Sequence, residues 1–133
     1  MSPSAETYTQ EVAIEDSLYR CVSFAAGWVV EQNRPSSALF HNPDFSTDMV
    51  SIAQTPQYTL ARFNENCGVA LFSYIIAKEL GFIARQEIDP EFPENKAHAN
   101  VYHDQGSDKS RKKRAQKLAQ ACAVPIQPKF PPQ

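Results

Sequence analysis

The side chains of this chain best suited to chemistry are three histidines, two arginines with a pair of serines, and one dense basic run. His98 or His103, set beside Lys or Arg, could run a hydrolytic or ribonuclease-like reaction, the imidazole moving protons and the cations stabilising phosphate charge. Arg34-Pro35-Ser36-Ser37 places a guanidinium and two hydroxyls in a turn, where they can bind an anion or cap the turn through hydroxyl-to-backbone bonds. Arg20 stands in the apolar segment before it. The candidate catalytic residues are therefore His98, His103, Arg20, Arg34 and Ser36. Histidines satisfied by hydrogen bonds at a turn and a strand edge are the simpler reading, so these residues do not by themselves make the chain an enzyme. On a regular strand the odd separation of His98 and His103 turns them to opposite faces.

Other chemistries find less support. His41 sits near Asn42, Asp44 and Asp48, but neither it nor the three widely spaced cysteines (Cys21, Cys67, Cys122) has metal-ligand spacing, and no metal is expected. The cysteines have apolar neighbours and read as small buried thiols. GxxxxGK[ST], GxGxxG, HExxH and GxSxG are absent, and four glycines are too few for a phosphate-cradling loop, so no cofactor is expected.

The basic run carries the clearest signal. SDKSRKKRAQKLAQAC, residues 107–122, holds six Lys or Arg between Lys109 and Lys117 and no acid among them. As a helix capped by Ser107 it puts Ala115, Leu118, Ala119 and Cys122 on one narrow seam, with Arg111 near its start. Lys112, Lys113, Arg114, Gln116, Lys117 and Gln120 cover the rest. Like charges one turn apart repel by a few tenths of a kcal/mol per pair. Phosphate contacts would relieve that repulsion through counterion release. Lys109, Arg111, Lys112, Lys113, Arg114 and Lys117 are the candidate polyanion-binding residues. The Ala-rich seam lacks the bulky apolar side chains of a membrane-surface helix.

Charge is sorted along the chain. The net −2 divides into −9 over residues 1–108, with all fifteen Asp and Glu against six Lys and Arg, and +7 over 109–133. Such a basic end could meet a polyanion, or fold back on its own acidic body.

Periodicity and turn residues assign the secondary structure around these side chains. Leu18–Phe24 is a strand, WVVEQ a second short strand or a loop, and SSALF a short strand between turns. Thr55-Pro56 starts a short helix through Arg62. Residues 66–80 read as a buried helix, from Val69, Phe72, Ile76 and Leu80 at spacings of three and four, closed by Gly81. Residues 82–88 and 97–103 alternate as strands. The last ten residues hold four prolines and read as a tail without regular structure. The division is a flexible N-terminus (1–12), one domain (13–122) and a proline-rich tail (123–133). The fold class is α+β, a small mixed or antiparallel sheet of three to four strands with two main helices. No apolar run reaches the length of a membrane span, the first residues lack a signal-peptide pattern, and a cytoplasmic location is the default.

Two resemblances follow from these residues. Arg20 with Arg34-Pro35-Ser36-Ser37 resembles the arginine-then-serine pattern of ADP-ribosyltransferases, which implies an arginine holding a dinucleotide, a serine supporting the pocket and a late catalytic glutamate, here Glu87. The order RPSSALF, a TP-started helix with LARF, CGVALF, AHANV and a basic last helix, over residues 18–122, is similar to a group of small uncharacterised bacterial proteins. It implies a bacterial, cytoplasmic, single-domain protein and no particular activity. Lys96 departs from it, standing where proline would precede the Ala-His pair.

The expected function is a non-enzymatic binding module contacting nucleic acid or an acidic protein partner through the basic C-terminal helix. Two alternatives accompany it: a small enzyme acting on a phosphate-bearing or nucleotide substrate, and a subunit or antitoxin-like component whose role is association.

Overall fold

The structure is a computed structural model, and it describes residues 10–23, 28–29, 34–63, 67–103 and 106–128. Six strands form one sheet: β1 (Ser17–Ser23), β4 (Asp44–Met49), β5 (Cys67–Ser73), β6 (Ile83–Gln86), β7 (His98–Tyr102) and β8 (Ala123–Pro128). Their order is β6-β7-β4-β1-β5-β8, and every neighbouring pair is antiparallel. A separate two-stranded ribbon joins β2 (Trp28–Val29) to β3 (Arg34–Pro35). Two short helices, α1 (Val50–Ala53) and α2 (Pro56–Leu60), follow β4; α3 (Tyr74–Leu80) follows β5, and α4 (Asp108–Ala121) follows β7. The chain is a single α+β domain with two main helices.

The period of two decides what each face meets. Leu18 and Val22 of β1, Phe45 of β4, Ala70 and Phe72 of β5, and Ala99 and Val101 of β7 enter one core with Tyr74 and Ala77 of α3 and Ala115, Leu118 and Ala119 of α4. Phe40 fills its centre, edge-on to Phe72 with ring centroids 5.7 Å apart. On the other face Tyr19, Cys67, Val69 and Ala97 meet Ala53 and Leu60 of the short helices.

The last helix forms as the sequence predicts. Ser107 Oγ accepts from Ser110 N, Asp108 stands in the first turn, and the seam of Ala115, Leu118, Ala119 and Cys122 is buried. The TP start also holds, with Thr55 at the cap and Pro56 opening α2.

Four expectations give way. Residues 66–80 are not one helix but a strand, β5, running directly into α3. Cys67–Phe72 is a continuous apolar run buried on both faces of the sheet, and periodicity alone does not separate such a strand from a buried helix. Gly81 still closes α3, at φ 110°, and a Cβ there would stand 3.0 Å from Arg114 Cδ, so glycine answers both the turn and the close approach of α4. SSALF is a 3-10 turn (Ser37–Phe40) capped by Ser36, not a strand. The turn expected after SSALF is, over Asp44–Met49, the central strand β4. The proline-rich end supplies β8, an edge strand where Pro125 and Pro128 leave no interior ladder position unfilled. The sheet thus has six strands rather than three or four. Within the N-terminal segment expected to be flexible, residues 10–12 are tied to β6: Val12 N donates to Ala84 O (2.9 Å) and Gln86 N to Gln10 O (2.8 Å). The side chains of Trp28, Arg34 and Ile126, and Phe130 altogether, lie outside the described residues.

Candidate functional site

On the sheet face away from α3 and α4 lies a cavity of about 430 Å³. Alternation builds its floor. Tyr19 and Cys21 of β1, Ser46 and Asp48 of β4 and His98 of β7 are the residues between those that enter the main core. Register aligns them across three strands, with Tyr19 opposite Asp48 and Asp48 opposite His98. Thr59, Arg62 and Phe63, with Asp89, Glu91 and Phe92 of the loop before β7, complete the lining.

Asp48 is the fixed charge of this floor. It is 1 % exposed and accepts from Thr59 Oγ1 (2.6 Å), Arg62 Nη2 (2.6 Å) and Asn95 Nδ2 (2.8 Å). These three bonds offset the cost of taking a carboxylate out of water. The same bonds join α2 and the loop before β7 to the sheet, so Asp48 positions both of these parts of the lining. Asn95 extends the network, its Oδ1 accepting from Tyr58 Oη and Ala97 N. The Arg62 guanidinium also lies over the rings of Tyr58, Phe63 and Phe92 at 5.6–5.8 Å.

His98 and Ser46 form a directed pair. His98 Nδ1 is 2.8 Å from the carbonyl oxygen of Glu87 and Nε2 is 3.2 Å from Ser46 Oγ. A carbonyl only accepts, so Nδ1 carries the hydrogen; in the neutral ring Nε2 then offers its lone pair to the serine hydroxyl. Ser46 itself is exposed.

Arg20 reaches the same cavity. Strands β1 and β4 pair only at Leu18–Met49 and Tyr19–Asp48, and where they part Arg20 donates from Nε to Leu39 O (2.8 Å) and from Nη1 to Ser46 O (2.9 Å). Its guanidinium lies 4.7 Å from the centroid of Phe45. Burial lowers its pKa to about 10, so it is charged at neutral pH.

The sequence-predicted catalytic residues therefore divide. Arg20 and His98 meet in the cavity. His103 does not: it is fully buried on the helix side, stacked on Phe82 at 4.3 Å, with Nε2 donating to Asn42 O (2.5 Å). The opposite facing expected for His98 and His103 holds. Ser36 is spent on the 3-10 turn, and Glu87 accepts from Tyr102 Oη (2.5 Å) outside the cavity lining. The arginine, serine and glutamate of the ADP-ribosyltransferase pattern thus do not converge. His41 Nε2 lies 3.1 Å from Asp108 Oδ1, and among the described residues no group of three His, Cys, Asp or Glu could hold a metal ion.

The basic run is also divided. Arg111 pairs with Asp108 in its own helix (3.3 Å), and Arg114 donates to His103 O (3.0 Å) against Gly81. These two candidates turn inward, because at their positions the helix surface meets the body. Lys109, Lys112, Lys113 and Lys117 are exposed, and among the described residues no carboxylate lies within 4.0 Å of them. The basic helix is docked by its seam, and no described carboxylate pairs with these four lysines.

Sequence reasoning missed Ser46, Asp48, Arg62 and Phe92. The signal for the first two was present: in DFSTDM, Phe45 and Met49 point inward with Ser46 and Asp48 between them, a period of two hidden by its polar face. No family model, curated protein or solved structure matches the chain, so the site is read from its own geometry.

Proposed function

We propose that this protein is a nucleic-acid-binding module, the contact surface being the solvent face of α4. One observation carries the reading: Lys109, Lys112, Lys113 and Lys117 stand together on that face without a carboxylate partner among the described residues. They span about 12 Å of helix at 1.5 Å per residue, about the width of a duplex major groove or several backbone phosphates. The burial of Ala115, Leu118 and Ala119 supports it too, since a helix held by its seam presents its lysines as a rigid row.

The test is binding of the full chain to labelled duplex DNA and to single-stranded RNA over a salt series, beside a variant carrying Gln at 109, 112, 113 and 117. The wild type should bind with steep salt dependence and the variant weakly, with a flat dependence. Equal or tighter binding to polyglutamate, with none to nucleic acid, would reassign the face to an acidic protein partner. No salt-sensitive binding to any polyanion refutes the reading.

A further inference from the structure

We propose that the cavity is an acyl-transfer site in which Ser46 is the nucleophile, His98 its general base and Arg20 the donor to the oxyanion, and that it takes a small neutral or cationic carboxylic ester. The proposal is independent of nucleic-acid binding, since the two sites share no residue.

The first support is the direction of the Ser46–His98 contact. A serine hydroxyl is a weak nucleophile until a base removes its proton, and the base must be oriented by a third group. Here the third group is the Glu87 carbonyl, which fixes the hydrogen on Nδ1 and leaves Nε2 facing Ser46 Oγ. His98 is 6 % exposed while Ser46 is open to the cavity, so a substrate reaches the oxygen and water reaches the ring poorly.

The second support is the cation beside the serine. Arg20 Nη1 donates to the main-chain carbonyl of Ser46, which holds the guanidinium against the strand that carries the nucleophile, and Arg20 lines the same cavity. Nε and Nη1 are occupied, and Nη2 has no partner among the described residues. A preorganised cation is suited to charge that develops on an attacked carbonyl.

The third is the cavity's size and polarity. Its volume of about 430 Å³ lies in the range of small-molecule sites. Phe63 and Phe92 give the lining apolar surface, while Asp89 and Glu91 oppose an anionic ligand. A phosphate-bearing substrate fits that rim poorly; an uncharged or cationic ester fits it.

The reaction balances without a further reagent. Ser46 Oγ bonds to the ester carbonyl carbon as its proton passes to His98 Nε2, and Arg20 holds the resulting oxyanion. Collapse breaks the bond to the alkoxide, which leaves as the alcohol with the proton from Nε2, and the acyl group remains on Oγ. Water then adds to that carbonyl, giving its proton to Nε2; the Oγ–acyl bond breaks, the carboxylic acid leaves, and the proton returns to Oγ.

Di-isopropyl fluorophosphate tests the serine directly, since attack by Oγ expels fluoride and leaves a stable phosphoryl adduct. Native full-length protein should carry one adduct, mapped by mass spectrometry to Ser46. Ser46→Ala should carry none, Ser110→Ala should react like the wild type, and His98→Gln should react about 100-fold more slowly or worse. Turnover of 4-nitrophenyl acetate should fall in step. No adduct on the native wild type, an adduct elsewhere, or the same modification in urea-unfolded protein overturns the proposal; because these outcomes are read on the wild type, an unfolded variant cannot mask them.

Discussion

Net charge and charge placement make different predictions for α4, and two charge-matched variants separate them. Lys112→Gln with Lys113→Gln removes two cations from the solvent face; Arg111→Gln with Arg114→Gln removes two that turn inward. Each pair lowers the net charge equally. Each lysine that neutralises a duplex phosphate contributes roughly 0.9 to the slope of log affinity against log salt. Four lysines give a slope of about −3.6, or roughly 150-fold weaker binding between 50 and 200 mM salt. The lysine pair should bring this to about −1.8, roughly 12-fold over the same range. The arginine pair should leave the slope near its starting value and instead lower stability, because Arg114 loses a charge-assisted bond to His103 O, an interaction of roughly 1.5–3 kcal/mol. Fluorescence anisotropy at several salt concentrations reads the slope, and urea denaturation reads the stability. Equal slopes for the two variants would mean that net charge alone drives the binding and that exposure of the lysines plays no part.

Three further outcomes follow from buried groups. Arg62→Ala strips the charge partner from a fully buried Asp48 and should lower stability by about 3–5 kcal/mol in urea denaturation, with Arg62→Ala/Asp48→Asn less affected than the single variant. Burial, helped by the cations of Arg114 and Arg111, lowers the pKa of His103 against the opposing pull of the Asn42 carbonyl, so the unfolded chain takes up a proton that the folded one refuses. Its effect on stability is absent above the unfolded pKa of about 6.5 and grows as pH falls below it; melting curves from pH 7.5 to 5 should therefore drop for the wild type and flatten for His103→Phe. Burial pushes the Cys122 thiol up to about 12, so Ellman's reagent at pH 8 should leave it unmodified in native protein and modify it in guanidinium.

How much of this was legible in the sequence depends on whether a residue's local pattern agreed with its place in the fold. In α4 every signal agreed: the Ser107 cap, the small-residue seam and the basic face, and the helix stands where the pattern puts it. In β7 the alternation of His98, Ala99, Asn100 and Val101 was equally plain. The failures have physical causes. β5 is buried on both faces, which erases the period of two, and its apolar residues also fall at helical spacing. In β8 the prolines are tolerated because only an edge can spare their missing N–H groups, a fact about sheet order that no local window contains. β4 reads as a turn because Asp44, Ser46 and Asp48 face the cavity side. A strand that carries a site must put polar residues where a purely structural strand would not, so local rules broke where the candidate chemistry lies. The Ser46–His98 pair joins residues 52 apart, and only the β4–β7 register brings them together.

The fold also separates the two kinds of charge. The sheet stands between α4, with four lysines on its outer side, and a cavity edged by Asp89 and Glu91. A polyanion held at the proposed lysine face would meet, on the other face, carboxylates that repel it, which argues against the helix as an entrance for a phosphate-bearing substrate. This weighs against a single nucleotide-acting enzyme, in which the basic helix and the histidine would have to work on one ligand. It favours two separable sites. The proposed contact at the helix would depend on long-range attraction, which salt screens within about 8 Å at physiological ionic strength. The cavity depends on short contacts inside the protein, where screening is weaker, so raising the salt should release nucleic acid from α4 and leave Ser46 as reactive as before.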